Sequence, residues 1–161
     1  MNPTQLTTLV IRPTLQGMGL HSLAAEQLIA GTIYQESRGV YLAQLGCGIA
    51  LGIIQMEPAT YTDIWDNFLA YRRELSNKLI ELASMESLDD GMRPNVTQLV
   101  TNLAFAVAMC RVHYLRTPEK LPKAGDVAGM AKYWKQYYNT PLGAGTAEEF
   151  QRNFPLEVLD C

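Results

Sequence analysis

The chain has 161 residues, a length that fits one compact domain. Hydrophobic residues make up 48% of it and charged residues 18%, which supplies enough apolar material for a core and excludes a disordered or fibrous protein. The formal net charge of −3 argues against a nucleic-acid partner, which a basic patch would indicate, and against non-specific adhesion to an anionic surface.

The cysteines and histidines form no metal-binding pattern. The three cysteines are widely spaced without a CxxC pair, and His21 and His113 lie far apart in the sequence. We therefore expect no metal and no cofactor. Three reduced thiols are the favoured state, and one disulfide with one free thiol is the alternative, for the cysteines Cys47, Cys110 and Cys161.

The N-terminal residues lack a basic segment followed by a long apolar run, so no signal peptide is predicted. The longest apolar run, residues 103–110, is far shorter than the roughly 20 residues that a bilayer requires. We therefore expect a protein that is synthesised in the cytoplasm and has no membrane span. We also expect a monomer.

The N-terminal part of the chain predicts two helical segments. Pro3 suits the first turn of a helical extension, residues 1–20, that Pro13 bends or ends. Ser22 has the character of an N-cap for a second helix, and Gly39 is a natural stop for it.

The rest of the chain predicts an all-α or mainly α single domain over its whole length. Four glycines interrupt short apolar pieces, which indicates a small irregular or hairpin region between residues 39 and 57. Asn95 and Gln98 have capping-box spacing before the longest predicted helix, 96–115, in which residues 103–110 are apolar all round, as in a central buried helix. Further helices are predicted at 58–70, 71–84, 124–138 and from about Thr146.

Glu36 stands out on the second predicted helix. Ala25, Ile29, Ile33 and Glu36 follow one another at helical steps, so an ionisable carboxyl ends an apolar stripe. It also lies in the last turn before Gly39, where the helix dipole disfavours an anion. Desolvation and the dipole both raise the pKa of such a group, and a carboxyl kept protonated near neutral pH is what a departing glycosidic oxygen requires. The alternative is a glutamate that marks the edge of the stripe and reaches solvent.

Four short segments follow one another along the chain: Glu36-Ser37, then Gly52-Ile53-Ile54-Gln55-Met56-Glu57-Pro58-Ala59-Thr60, then Asn102-Leu103 with Tyr114-Leu115, and finally Tyr137-Tyr138-Asn139-Thr140 with Gly143-Ala144-Gly145. In composition and order they resemble the motifs of soluble lytic transglycosylases and goose-type lysozymes. The resemblance covers roughly residues 26–146 and implies a lysozyme-like fold.

The sequence departs from the family pattern in two places. The segment from Glu36 to Gln55 is about one residue longer than the family spacing, and residues 140–142 intervene before the glycines. Tyr137 stands where the family has a small residue. Either Tyr137 or Tyr138 could therefore face the site, and Tyr138 is favoured because it directly precedes the asparagine.

By this resemblance, Glu36 is the catalytic acid that protonates the β-1,4 glycosidic oxygen between N-acetylmuramic acid (MurNAc) and N-acetylglucosamine (GlcNAc) in peptidoglycan. In lytic transglycosylases the same residue then acts as a base, and the C6 hydroxyl of MurNAc attacks to form a 1,6-anhydro product. In a goose-type muramidase water hydrolyses the same bond. One essential carboxylate suffices because the N-acetyl group of the substrate stabilises the oxocarbenium-like centre.

The resemblance also implies a set of substrate-binding residues. Ser37 would donate to the sugar or to a neighbouring carbonyl, or be only a hydroxyl at a helix end. Gln55 would bind the acetamido group or stabilise its loop. Tyr138 would hydrogen-bond the acid or belong to the core. Tyr137 is a further candidate, and Asn139 either joins the set or closes the turn after the helix.

Other side chains keep two interpretations. Glu57 is either a charge favoured at a helix N-terminus or a group that orients water, as in a hydrolase. Tyr61, Trp65 and Trp134 are core aromatics or sugar-stacking platforms, and the core is favoured. His113, on the central helix, is expected to be a satisfied core histidine.

We therefore expect an enzyme that acts on peptidoglycan strands in the cell wall, in the periplasm. A non-catalytic glycan-binding or virion structural protein with the same fold is the alternative from another class, and chitin is an alternative substrate. The small size resembles that of a phage endolysin, and a bacterial enzyme without its leader would have the same features.

Overall fold

Helices account for most of the chain in the computed structural model, which describes residues 1–46, 48–139 and 143–161. The α-helices are α1 (Pro3–Leu6), α2 (Arg12–Gly17), α3 (Leu23–Ser37), α4 (Pro58–Asn67), α5 (Arg73–Leu82), α6 (Gln98–Thr101), α7 (Leu103–Leu115), α8 (Val127–Tyr137) and α9 (Ala147–Asn153). Short 3-10 helices occur at Leu69–Tyr71, Met85–Ser87 and Leu156–Leu159. In the described residues β-structure is limited to isolated bridges, so the predicted all-α single domain is confirmed.

The N-terminal extension continues through Pro13 instead of ending there. A π-helical segment, Thr7–Ile11, joins α1 to α2, and the N–H of Arg12 donates to the carbonyl of Thr7 at the wider π spacing. Because proline has no N–H to donate, the widened turn lets the helix pass Pro13 and run on to Gly17.

A buried ion pair ties this extension to α3. The guanidinium of Arg12 donates through Nε and Nη2 to the two carboxylate oxygens of Glu26, each at 2.8 Å, and His21 Nε2 lies 2.9 Å from Oε2. Burial of Glu26 would raise its pKa, but the bonds from Arg12 and His21 outweigh it and hold the pKa below its usual value.

Helix α3 positions Glu36. Ser22 is its N-cap, as predicted, and its Oγ accepts from the N–H of Ala25 at 3.1 Å. The predicted apolar face is buried, since the residues before Glu36 on the stripe are at most 1% exposed. The helix ends at Ser37, and Arg38 adopts the left-handed conformation at φ 54° one residue before the predicted stop at Gly39.

The predicted irregular region follows α3. Isolated antiparallel bridges join Ala43 to Leu51 and Leu51 to Met56, and the N–H of Gly52 donates to Leu42 at 2.8 Å. These few bonds give the described residues 40–46 and 48–56 the form of a loop with isolated bridges rather than a regular hairpin, and this loop forms one side of the site described below.

The predicted helix 96–115 is divided, so its predicted start at Asn95 is wrong. Asn102 is extended between α6 and α7, and its Oδ1 caps α7 by accepting from the N–H of Phe105 at 3.0 Å. Its Nδ2 donates to the carbonyl of Leu82 at 2.8 Å, a tertiary bond that outweighs continuation of the helix. Of the helices in the described residues, α3 is the longest, with 15 residues. Helix α7, with 13 residues, is the one predicted as the buried central helix.

Helices α8 and α9 pack against α3 from the C-terminal part of the chain. Asp126 caps α8, and Thr146 with Glu149 forms a full capping box at the predicted start of α9. The ring of Phe150 in α9 packs closely against Gly31 in α3, where a Cβ would lie 2.5 Å from Cζ of Phe150. This close packing brings α8 beside the last turn of α3.

Candidate active site

Two adjoining clefts meet at Glu36. The larger, of about 690 Å³, is lined by the ends of α3, α7 and α8, by the start of α4 and by residues 143–145. The smaller, of about 340 Å³, lies between the end of α3 and residues 41–45. Glu36, Gln44 and Gln55 line both clefts, so the two clefts adjoin at these residues, and together they are called the groove.

Glu36 is half-buried and lines the groove where the two clefts adjoin. Burial raises its pKa from 4.5 to about 7, although a hydrogen bond from Trp134 partly opposes the rise. That bond joins the indole Nε1 to Oε1 of Glu36 at 2.8 Å. Near neutral pH the group therefore exists in both protonation states, which suits a residue that gives up and takes back a proton.

Ser37 bonds to backbone and not to the groove. It is 1% exposed, and its hydroxyl lies 2.7 Å from the carbonyl of Ile53 and 3.1 Å from that of Ile33. Of the predicted alternatives, the structure shows the bond to a neighbouring carbonyl. Ser37 thereby fastens the loop to the end of α3, next to the acid.

Gln55 lines both clefts and stabilises its own loop. Its Nε2 donates to the carbonyl of Gly52 at 2.8 Å, and its backbone has a positive φ of 47°. A residue other than glycine held in this conformation carries backbone strain, which is common where a side chain must be aimed at a site. The predicted contact with an acetamido group stays a prediction.

Tyr137 and Tyr138 both line the larger cleft. The predicted bond from Tyr138 to Glu36 is wrong, because its hydroxyl donates instead to the carbonyl of Ile54 at 2.7 Å. Tyr138 therefore holds the loop against the end of α8. The residue that bonds to Glu36 is Trp134, which the sequence motifs do not include.

Asn139 also lines the cleft, and its Oδ1 accepts from Nζ of Lys135 at 2.9 Å. The same ammonium donates to the carbonyl of Gly143 at 2.7 Å. Lys135 thus links Asn139 to Gly143, and both predicted roles of Asn139, in substrate binding and in closing the turn, stay predictions. Thr140, the last residue of the predicted Tyr-Asn segment, and the intervening residues 141–142 lie outside the described residues.

Two more titratable side chains reach the larger cleft. Glu57 is exposed at the N-cap of α4 and lines the cleft, so both predicted interpretations stay open. His113 is half-buried and lines the cleft, and its Nδ1 has no hydrogen-bond partner among the described residues. The expectation of a satisfied core histidine is therefore wrong. Burial, with the neighbouring charge of Arg116, lowers the pKa of His113 to about 4 and keeps it neutral.

The aromatic residues considered for sugar stacking belong to the core, as favoured. Trp134 is fully buried, and Tyr61 and Trp65 are 3% and 6% exposed, too little to offer a ring face to a sugar. Cys110 and Cys161 are free thiols, and Cys47 lies outside the described residues.

In the part of the chain that the structure describes, no group of three or more His, Cys, Asp or Glu side chains is arranged to hold a metal ion. None of the described helices is long and apolar enough to cross a bilayer. Comparison of the chain with protein-family models, with curated proteins and with solved structures found no match.

Proposed function

We propose that the protein cleaves the MurNAc–GlcNAc β-1,4 bond of peptidoglycan as a lytic transglycosylase, with Glu36 as general acid and then general base. The observation that carries the proposal is the half-buried carboxyl of Glu36 in a groove, with a pKa of about 7. A group with this pKa is ready to protonate the leaving oxygen and, once ionised, to accept the proton of the attacking hydroxyl.

The shape of the groove supports a polymeric substrate. Because a second cleft adjoins the larger one at Glu36, the groove has room for more than one sugar beside the carboxyl. Neutral side chains line most of it, among them Gln44, Gln55 and Asn139, whose amides match the hydroxyl and acetamido groups of a glycan. We accordingly expect cleavage within strands as well as at their ends.

The products test this proposal. Purified peptidoglycan digested by the protein should give fragments with 1,6-anhydro-MurNAc ends, lighter by one water than hydrolysed ends in mass spectrometry. Fragments that all carry reducing ends would overturn the transglycosylase assignment. Cleavage of chitin, which lacks muramic acid, without cleavage of peptidoglycan would overturn the assignment to peptidoglycan. The absence of cleavage with any glycan would favour the binding or structural role.

A goose-type muramidase is the second candidate, and the place of Glu57 in the same cleft favours it. Among the described residues that line the two clefts, Glu36 and Glu57 are the carboxylates. If Glu57 orients a water molecule, Glu57→Gln should lower kcat by at least about 100-fold and the products should be reducing sugars. A transglycosylase needs no such water, so its rate should change only a few-fold.

The pH dependence of cleavage is a further prediction. Since the acid must be protonated in the free enzyme, kcat/KM should fall about tenfold per pH unit above the Glu36 pKa of about 7. His113 stays neutral over this range because its pKa is about 4. Rates of fragment release at constant ionic strength would show this fall, the alkaline limb of the pH profile of kcat/KM. An activity that stays flat well into the alkaline range would contradict Glu36 as the acid.

A further inference from the structure

The polar partner of Glu36 is the indole of Trp134, on the neighbouring helix α8. Trp134 is fully buried, and its Nε1 lies 2.8 Å from Oε1 of Glu36. An indole nitrogen only donates hydrogen bonds, whereas a carboxyl oxygen accepts or donates according to its protonation. The contact therefore does more than fill space, because it treats the two carboxyl oxygens differently.

The indole is held in place on several sides. Its ring packs on Phe150 of α9 with the centroids 5.4 Å apart. A Cβ on Gly145 would lie 2.7 Å from Cη2, so the backbone of that residue covers the indole. The main chain of Trp134 is fixed as well, because its carbonyl accepts from the N–H groups of Tyr138 and Asn139, at 2.9 and 3.0 Å. A ring clamped in this way keeps its N–H aimed at Glu36 without reorganisation.

We propose that Trp134 is a positioning residue of the site, whose N–H keeps Oε1 of Glu36 as an acceptor and so assigns the transferable proton to Oε2. A proton on Oε1 would leave the buried indole N–H with the hydroxyl oxygen of a carboxylic acid, which accepts more weakly than the carbonyl oxygen, so a proton on Oε2 is favoured. The protonated acid therefore carries its hydroxyl at Oε2 in one defined geometry.

The reaction part of this inference rests on the proposed function. The Oε2 proton passes to the glycosidic oxygen as its bond to C1 breaks, and the bonding electron pair leaves with that oxygen. Oε2, now ionised, takes the proton of the C6 hydroxyl while its oxygen forms the new bond to C1. Glu36 ends protonated again, so the cycle needs no further reactant. In both steps Trp134 stays bonded to Oε1.

The bond also lowers the pKa of Glu36, because a donor stabilises the carboxylate and so opposes the effect of burial. Four other titratable groups near the carboxyl stay uncharged around neutral pH. Burial keeps the Cys110 thiol and the Tyr114 and Tyr138 phenols neutral by raising each pKa, and His113 is neutral. The charged side chains of the groove are Glu57 at the start of α4 and Arg38 after α3.

A measurement without substrate tests the contact. The chain has two tryptophans, so a ¹⁵N-labelled sample gives two indole N–H signals, and Trp65→Phe assigns them. The Trp134 signal should titrate with a midpoint near the Glu36 pKa of about 7 and become flat in Glu36→Gln. The Trp65 signal should not follow it, since that ring packs beside Tyr61 in the core.

Trp134→Phe tests the consequence for the reaction. Without the donor, the alkaline limb of kcat/KM should move up by about one pH unit, and kcat should fall about tenfold at neutral pH while KM stays near that of the wild type. Trp65→Phe is the matched control, an equal truncation of the other buried tryptophan that should leave the limb in place. Should Trp134→Phe fail to fold, the indole titration still decides the matter.

The two readouts separate this inference from the proposed function. A Trp134 signal that stays flat through neutral pH, or a Trp134→Phe limb that matches that of the wild type, would overturn the positioning role even if the protein cleaves peptidoglycan. A titrating indole in a protein that cleaves no glycan would instead keep the contact with Glu36 and overturn the proposed enzyme.

Discussion

Replacing Glu36 with glutamine should reduce glycan cleavage by at least about 1,000-fold, since a positioned acid and base typically contributes two to four orders of magnitude. The amide has nearly the shape of the carboxyl, and its oxygen still accepts the Trp134 bond that Glu36 accepts at 2.8 Å. The site should therefore keep its geometry and lose only the transferable proton. Release of soluble muropeptides from a wall suspension measures the loss.

The same substitution should stabilise the fold, in a pH-dependent way. The pKa of Glu36 is about 7 in the folded protein and 4.5 ordinarily, so the wild type loses stability as pH rises through this interval. Well above neutral pH, Glu36→Gln should unfold with a free energy higher by about 2 kcal/mol, whereas at acid pH, where the carboxyl is protonated in both states, the difference should vanish. Denaturant titrations at the two pH extremes give the comparison.

Glu74→Gln is the matched control for both effects. Its side chain is 92% exposed on α5, outside the groove, so neither activity nor the pH dependence of stability should change. If Glu36→Gln retained more than a tenth of the wild-type activity, the carboxyl would not be the acid. If it gained no stability at high pH, the carboxyl would lie in a more hydrated place than the structure shows.

The helices of this fold follow mostly from local sequence. Ser22 and Thr146 mark true N-caps because a hydroxyl that accepts an end N–H is a bond between near neighbours in the chain. The division of helix 96–115 at Asn102 depends instead on a bond to Leu82, 20 residues earlier. Periodicity carries no information about such a partner, so the sequence predicted one helix where the structure has two, α6 and α7.

In the candidate site, too, features of one segment could be predicted and bonds between distant residues could not. Glu36 could be singled out because helix phase and the dipole are properties of one segment. Trp134 could not be assigned to it, because the two residues are 98 positions apart and a tryptophan on an apolar helix face predicts only burial. Tyr138 belongs to a recognised motif, yet its hydroxyl bonds to the carbonyl of Ile54. Motif order thus placed Glu36, Gln55 and Tyr138 around one cleft, but it predicted neither the partner of Glu36 nor the atoms that pair.

Gly52→Ala should be the most damaging small substitution in the loop beside the site. Gly52 has φ 72°, and an added Cβ would lie 2.1 Å from the carbonyl oxygen of Leu99, a backbone atom that no side-chain rotation moves away. The left-handed conformation alone costs an alanine about 1–2 kcal/mol. With the forced displacement of α6 or of the loop, the free energy of unfolding should fall by about 3–4 kcal/mol.

Activity should fall in the same variant, because Gly52 is the pivot of the turn that carries Gln55. Its carbonyl accepts from both the N–H and the Nε2 of Gln55, at 3.0 and 2.8 Å. Movement of this turn also shifts the Ile53 and Ile54 carbonyls that Ser37 and Tyr138 hold. Soluble protein should therefore cleave glycan much more slowly even at temperatures where it stays folded.

Gly125→Ala separates the cost of the left-handed conformation from the cost of the contact with Leu99. Gly125 also has a positive φ, 81°, but a Cβ there would meet nothing within 4 Å, so only the conformational cost of about 1 kcal/mol applies. The excess loss in Gly52→Ala then measures the contact with Leu99. Equal losses of unfolding free energy in the two variants would mean that the loop moves away from Leu99 without cost. A fully active Gly52→Ala would show that the turn does not position the groove.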